Sequence, residues 1–226
     1  MLVKNWMSKN VITIDIDDSM SRAISLVKEH KVNMLPVMSR GKLAGVVSET
    51  DLKRASASDA TTLDVHELLY LMSKLKIKDI MTKNPVTIPV DYTVEEAAET
   101  LIREKISGAP VVNEKNELQG IITRDDLLKV LLALSGFGKK GVQFAFQIED
   151  RAGSIRDLTD TVREYGGRIA SILGSYEGVP AGFRKVYIRA YDLDRSRLPQ
   201  LKEELKKRAT MLYAVDHRED KREFFV

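Results

Sequence analysis

The sequence predicts an α/β (α+β) protein, a pair of β-α-β-β-α repeats followed by a β-α-β-β-α-β domain. Three observations carry this. First, a short stretch is written twice, as Gly45-Val46-Val47-Ser48-Glu49-Thr50-Asp51-Leu52 and as Gly120-Ile121-Ile122-Thr123-Arg124-Asp125-Asp126-Leu127. Second, the match continues upstream. Met7-Ser8-Lys9-Asn10-Val11-Ile12-Thr13-Ile14 aligns with Met81-Thr82-Lys83-Asn84-Pro85-Val86-Thr87-Ile88, Ala23 with Ala97, and Leu35-Pro36-Val37 with Ala109-Pro110-Val111, one added residue near Asn116 shifting the register. Residues 6–54 and 80–129 are therefore two versions of one unit, and two copies followed by unrelated sequence make a paired module rather than a solenoid. Third, from Val142 onward the periodicity changes to alternating strands and short helices.

The elements follow in order. Residues 11–14 read as a short strand, Asp17-Asp18-Ser19 as a helix start, and Ala23, Ile24 and Val27 as the apolar face of a helix ending near His30. Leu35-Pro36-Val37-Met38 is the second strand, Arg40-Gly41-Lys42 a turn, and residues 43–47 the third strand, with a helix beginning at Ser48. Residues 55–62 are small and polar and read as a flexible connection. Asp64 to Lys76 carries Val65, Leu68, Leu69, Met72 and Leu75 at helical spacing, a stripe expected to pack between the copies. The second copy repeats the pattern with a strand at 85–88, a helix lined by Val94, Ala97, Ala98, Leu101 and Ile102, strands at 109–112 and 118–122, and a helix over 125–134. The glycine-rich, charged 135–141 marks a linker, and its Gly-Phe-Gly-Lys-Lys-Gly lacks the ending of a phosphate-binding loop. Strands over 142–148, 168–176, 184–191 and 211–215 and helices after Ser154 and over 196–208 complete the second domain, and the charged 217–226 reads as a tail, frayed or docked by Phe224 and Phe225. The expected organisation is 1–62 first repeat, 63–134 connecting helix and second repeat, 135–141 linker, 142–216 second domain and 217–226 tail.

Composition narrows the chemistry. With no cysteine, disulfides and thiol nucleophiles are excluded, and the three scattered histidines, His30, His66 and His217, form no metal motif. No nucleophile–base–orienter set appears, so no catalytic residue and no enzyme is expected. The N-terminus lacks the apolar core of a signal peptide and no run reaches the ~18 apolar residues of a membrane span, so a cytoplasmic protein without membrane contact is expected. A net charge of +3 with interspersed signs gives no nucleic-acid footprint, although Lys202–Arg208 keeps a nucleic-acid-associated regulator as an alternative.

The repeated stretch carries the binding chemistry. An apolar strand that runs directly into a helix start presents free N–H groups and the positive end of a dipole, a ready anion site. From spacing alone, Ser48…Asp51 and Thr123…Asp126 are capping boxes, and the same side chains can serve a ligand as well. Arg124 stands where the first copy has Glu49, a carboxylate that would repel phosphate, and Gly108 where it has Met34, which leaves more room for a ligand; both favour the Thr123–Asp126 site over the Ser48–Asp51 site.

These residues resemble a known family. The repeats look like a tandem pair of CBS domains, and the motifs ending at Asp51 and Asp126 match its nucleotide-binding signature. The resemblance implies an adenine nucleotide (AMP, ADP or ATP) as a regulatory ligand between the copies. Asp51 and Asp126 would meet the ribose hydroxyls, and Ser48 and Thr123 the phosphates. Thr13, Thr87 and Ile88, with Leu35-Pro36 and Gly108-Ala109-Pro110, would border the base. The stretch Asp150-Arg151-Ala152-Gly153-Ser154-Ile155 resembles the ACT-domain loop Asp-x-Pro-Gly-x-Leu, with Ala152 in place of the proline and Ile155 in place of the leucine. There Asp150, Ala152, Gly153, Ser154 and Ile155 would hold an amino acid or another small effector, or Gly153 would only make a turn. The CBS-CBS-ACT order is similar to AcuB-like (acetoin utilisation) proteins. The resemblance implies a homodimer that senses nucleotide and relays it to an unknown regulated protein; an assembly scaffold that binds no nucleotide is the other reading.

Overall fold

The computed structural model describes residues 1–59, 70 and 72–225. It divides into two compact units, Met1–Leu128 and Lys129–Val226. That division falls inside a helix, upstream of the glycine-rich 135–141 expected to separate the domains.

In the first unit each repeat has the expected β-α-β-β-α order, with changed bounds. The first copy runs β1 (Ile14–Asp15), α1 (Met20–His30), β2 (Met34–Ser39), β3 (Lys42–Ser48) and α2 (Glu49–Asp59). Ser19 caps α1 by accepting from Arg22 N, and the chain leaves the helix through left-handed Lys31. β1 begins at Ile14, three residues later than the expected 11–14, and ends where side chains of Asp15 and Asp18 accept backbone N–H groups and turn the chain. Helix α2 continues through residues 55–59, where a flexible connection was expected. Ala55 packs on the core and Ser56 bonds back to the Leu52 carbonyl, so small residues extend the helix rather than break it.

Of the expected connecting helix, Val65, Leu68 and Leu69 lie outside the described residues. Residues 72–74 are helical, but Leu75 and Lys76 are not: Lys76 bridges to Ser19 and caps a short helix, α3 (Ile77–Ile80). β4 (Thr82–Lys83) follows. The second copy then runs β5 (Ile88–Pro89), α4 (Val94–Arg103), β6 (Gly108–Val112), β7 (Leu118–Thr123) and α5 (Arg124–Leu134). β5 replaces the strand expected over 85–88, as Asn84 is left-handed and Pro85 has no N–H to donate. Thr93 and Glu96 form a complete capping box on α4, and the two hydrogen bonds from Thr93 hold the Glu96 carboxyl below its usual pKa.

The copies exchange their leading segments. The N-terminal residues pack on the second copy: Val3 N donates to Tyr92 O, Ser8 pairs with Ile121, and Val3 is fully buried beside Ile88, Ala97 and Leu101. Conversely, the segment before the second copy packs on the first. Met20 N donates to Leu75 O, β4 pairs with β3, and Ile77 is fully buried among Met20, Leu35 and Val47. The glycine that opens each motif permits this. A Cβ on Gly45 would lie 2.7 Å from Thr82 O, and one on Gly120 would lie 2.6 Å from Met7 Sδ and 2.9 Å from Ser8 O.

The second unit runs β8 (Val142–Glu149), α6 (Ser154–Glu164), β9 (Arg168–Ser175), β10 (Phe183–Tyr191), α7 (Leu198–Arg208), β11 (Thr210–Asp216) and β12 (Lys221–Phe224). Its antiparallel sheet has the order β12-β11-β8-β10-β9. Phe144, Phe146 and Ile188 of the sheet share one core with Leu158, Val162, Leu201 and Leu205, so both helices cover one face. The expected tail is docked rather than frayed, and it forms the edge strand β12, with the Tyr213 and Phe224 rings 6.3 Å apart, Lys206 over Phe225 and Lys202 paired with Glu223.

Candidate functional site

The site is built where β3 and β7 run into α2 and α5. In the first copy Asp51 Oδ2 accepts from Ser48 N at 3.0 Å and from Ser48 Oγ at 2.6 Å, while Asp51 N donates back to Ser48 Oγ. In the second, Asp126 Oδ2 accepts from Thr123 N at 3.0 Å and Thr123 Oγ1 at 2.7 Å, with the same return bond. Both motifs therefore fold as capping boxes, and both carboxylates are held rigid at a helix start. Asp126 is buried, whereas Asp51 is half-buried and its second oxygen meets Arg54 at 2.5 Å.

This geometry changes which groups a phosphate would find. At each junction the first N–H groups already have acceptors in the chain: Ser48 N in Asp51, Glu49 N in Asn33 O, Thr123 N in Asp126 and Arg124 N in Ser107 O. These amides are therefore already engaged within the chain, and Arg54 and Arg124 are among the exposed cations at the two junctions. Glu49, expected to repel phosphate, is paired with Lys53 at 2.7 Å.

A cleft of about 490 Å³ opens beside Asp51, lined by Arg54 and Ala55 of α2 and by Leu75, Ile80, Met81 and Thr82 of the exchanged segment. The sequence showed Met81-Thr82 only as part of the repeat. That this segment walls the first copy's cleft is decided by the exchange.

The other expected residues fall as follows. Strand pairing sets Gly108 opposite Thr123, Ala109 opposite Ile122 and Pro110 opposite Ile121, with Ile88 beside Val111, so these positions share one sheet with Asp126 at its helix start. A Cβ on Gly108 would come within 3.0 Å of Ile122 O and of Thr123 Cγ2, so the space left by this glycine is bordered by Thr123 rather than open. Leu35 and Pro36 pair with Val47 and Val46 and are buried; Thr13 is exposed just before β1, and Thr87 is half-buried just before β5. In the second unit Gly153 is left-handed, Ser154 is buried at the start of α6, and Arg184 pairs with Asp150 at 3.3 Å, so Asp150–Ile155 is an ordered turn with Ala152 exposed and Ile155 half-buried. Among the described residues no acidic, histidine or cysteine cluster could hold a metal, and no helix is long and apolar enough to cross a membrane.

Known proteins resemble this chain in sequence and fold. The family model described as CBS domain matches residues 3–58 and 77–133, half of the chain. A CBS domain-containing protein of Dictyostelium discoideum is 34% identical over 133 residues, spanning 58% of this chain and 92% of that protein. An inosine-5'-monophosphate dehydrogenase of Korarchaeum cryptofilum is 34% identical over 124 residues, 55% of this chain but 23% of the enzyme. Among solved structures, the CBS domain pair of protein MJ0100 in complex with 5'-methylthioadenosine and S-adenosyl-L-methionine aligns with TM-score 0.50 and 30% identity over 58% of this chain and 99% of that one. Protein MJ1225 of Methanocaldococcus jannaschii, described as a putative archaeal homolog of g-AMPK, aligns with TM-score 0.50 and 25% identity over 58% of this chain and 50% of that one.

Proposed function

Because the chain belongs to the CBS domain family, we propose that it is a non-enzymatic cytoplasmic regulatory protein that senses an adenine nucleotide, or a related adenosine ligand, in its paired repeats. The observation that carries this is the cleft beside Asp51. A rigidly capped carboxylate with acceptor capacity left faces a space of about 490 Å³, with a guanidinium at its edge for phosphate. The MJ0100 pair, seen with two adenosine derivatives, supports adenosine as the shared element. Asp126, with Arg124 beside it, is the second proposed site, bordered by Thr87, Ile88 and Gly108–Pro110.

The second unit is proposed as an ACT-like, ferredoxin-like domain. Its β-α-β-β-α-β order and the strand order β11-β8-β10-β9 support this. It would dimerise the protein, hold a small effector at Asp150–Ile155 and relay occupancy to a regulated protein, as the resemblance to AcuB-like proteins implies. A nucleotide can shift that relay only by its differential affinity for two states.

The test is calorimetric titration of the full chain with AMP, ADP, ATP, S-adenosylmethionine and 5'-methylthioadenosine, repeated on Asp51→Ala and Asp126→Ala. Saturable binding lost in either variant supports the reading and names the site. No heat from any of the five overturns it in favour of a scaffold.

A further inference from the structure

Arg189 stands near the end of β10, on the sheet face that α6 and α7 leave uncovered, yet it is only 3% exposed. Its Nε donates to the Ser135 carbonyl at 2.7 Å and its Nη2 reaches Gln143 Oε1 at 3.4 Å, but the buried Nη1 has no hydrogen-bond partner. No carboxylate among the described residues pairs with it. The Phe137 ring lies over the guanidinium, 5.4 Å from its carbon, and meets His217 edge-on at 5.2 Å. His217 Nε2 is likewise buried without a partner. A buried cation without a counter-charge is costly, and a planar guanidinium fork is matched best by a planar carboxylate.

On one side Arg189 is covered by a short segment, through the Ser135 carbonyl and the Phe137 ring. Residues 137–139 form a single 3-10 turn after left-handed Gly136, and the Phe137 side is half open to solvent. Beside it lies a cleft of about 500 Å³ lined by Gly136, Gly138, Lys139 and Tyr191. Tyr191 is two residues along β10 from Arg189 and therefore on the same face. Lys139 and Arg168 lie over its ring at 5.4 and 5.3 Å, so the cleft is both aromatic and cationic.

We propose that the second unit binds a small monocarboxylate here, at a place distinct from the Asp150–Ile155 turn. The carboxylate forks onto Nη1 and Nη2 of Arg189, the Phe137 turn swings aside, and the remainder of the molecule lies in the cleft against Tyr191.

The experiment follows the Arg189 Nε–Hε resonance in full-length protein labelled with ¹⁵N-arginine. Sodium acetate is titrated in at constant ionic strength, with sodium phosphate in parallel. A saturable shift with acetate is expected, together with an apparent Kd about tenfold lower in Phe137→Ala, where closure of the cover no longer competes with binding. Arg189→Lys should lose the acetate-dependent rise in Tm. The proposal is overturned if acetate shifts Arg189 in neither the natural protein nor Phe137→Ala, or if phosphate shifts it while acetate does not. Phe137→Ala keeps the guanidinium and decides the matter even if Arg189→Lys does not fold.

Discussion

Gly45 and Gly120 occupy the same place in the two repeats for the same reason: another segment of the chain passes so close that an added Cβ would clash with it. Gly45→Ala would put a methyl 2.7 Å from a backbone oxygen, and Gly120→Ala one at 2.6 Å from Met7 Sδ and 2.9 Å from a backbone oxygen. Each should cost about 1–3 kcal/mol by overpacking, read as a lower urea midpoint, with Gly45 the more severe because its nearest obstacle cannot rotate away. His217 gives a pH prediction. Burial, and then the charges of Arg189 and Arg222, push its pKa below the ordinary histidine value. The unfolded chain therefore takes up this proton near pH 6.5 while the folded one resists, and the stability involved is complete above that pH and lost as pH falls through the lowered folded value. Comparing urea midpoints between pH 7 and pH 5 should show a decline that His217→Gln makes shallower; parallel curves would refute the assignment.

At the scale of elements, the capping boxes link local sequence to the site. Ser48→Ala and Thr123→Ala each remove one helix cap and leave a carboxylate less firmly held, and each should lower stability by about 1 kcal/mol. If the carboxylates also serve a ligand, these variants weaken nucleotide binding beyond any loss of fold, which calorimetry on the folded fraction would show. The exchanged segment makes a sharper prediction. Val3 is fully buried in the second copy's core, so deleting residues 1–8 should loosen β6 and β7 while β2 and β3, supported by Ile77, keep their protection. Hydrogen exchange resolved by peptide would measure this; loosening of the first copy instead would contradict the exchange.

For the whole molecule, binding and stability are linked. A ligand that recognises only the folded repeats should stabilise them by about 2.7 kcal/mol at a hundred times its Kd, seen as a concentration-dependent Tm. The rise should appear for the cognate adenosine ligand and disappear in the double variant Asp51→Ala/Asp126→Ala. In the second unit, removal of residues 217–226 takes away β12, with its Lys202–Glu223 pair and its Phe224 contact to Tyr213. Exposure of the β11 edge should then promote self-association, measurable by light scattering.

What the chain's own letters determined was local and repetitive. The duplicated stretch, the helix starts at Ser19, Ser48 and Thr123, and the change of periodicity at Val142 are visible because capping and amphipathic spacing act within a few residues. The same signals located Asp51 and Asp126 at helix starts. The exchange was not legible, because Met7-Ser8 and Met81-Thr82 are near-identical and each could lie against either glycine; only the folded path of the chain selects one. Arg189 was legible as a strand residue but not as a buried one, since part of its cover comes from Ser135 and Phe137, more than fifty positions away. The tail hid a strand because its charges lie along an edge that water can reach. Tertiary structure decided these points because burial and pairing between distant segments depend on which surfaces meet, and no local pattern records that.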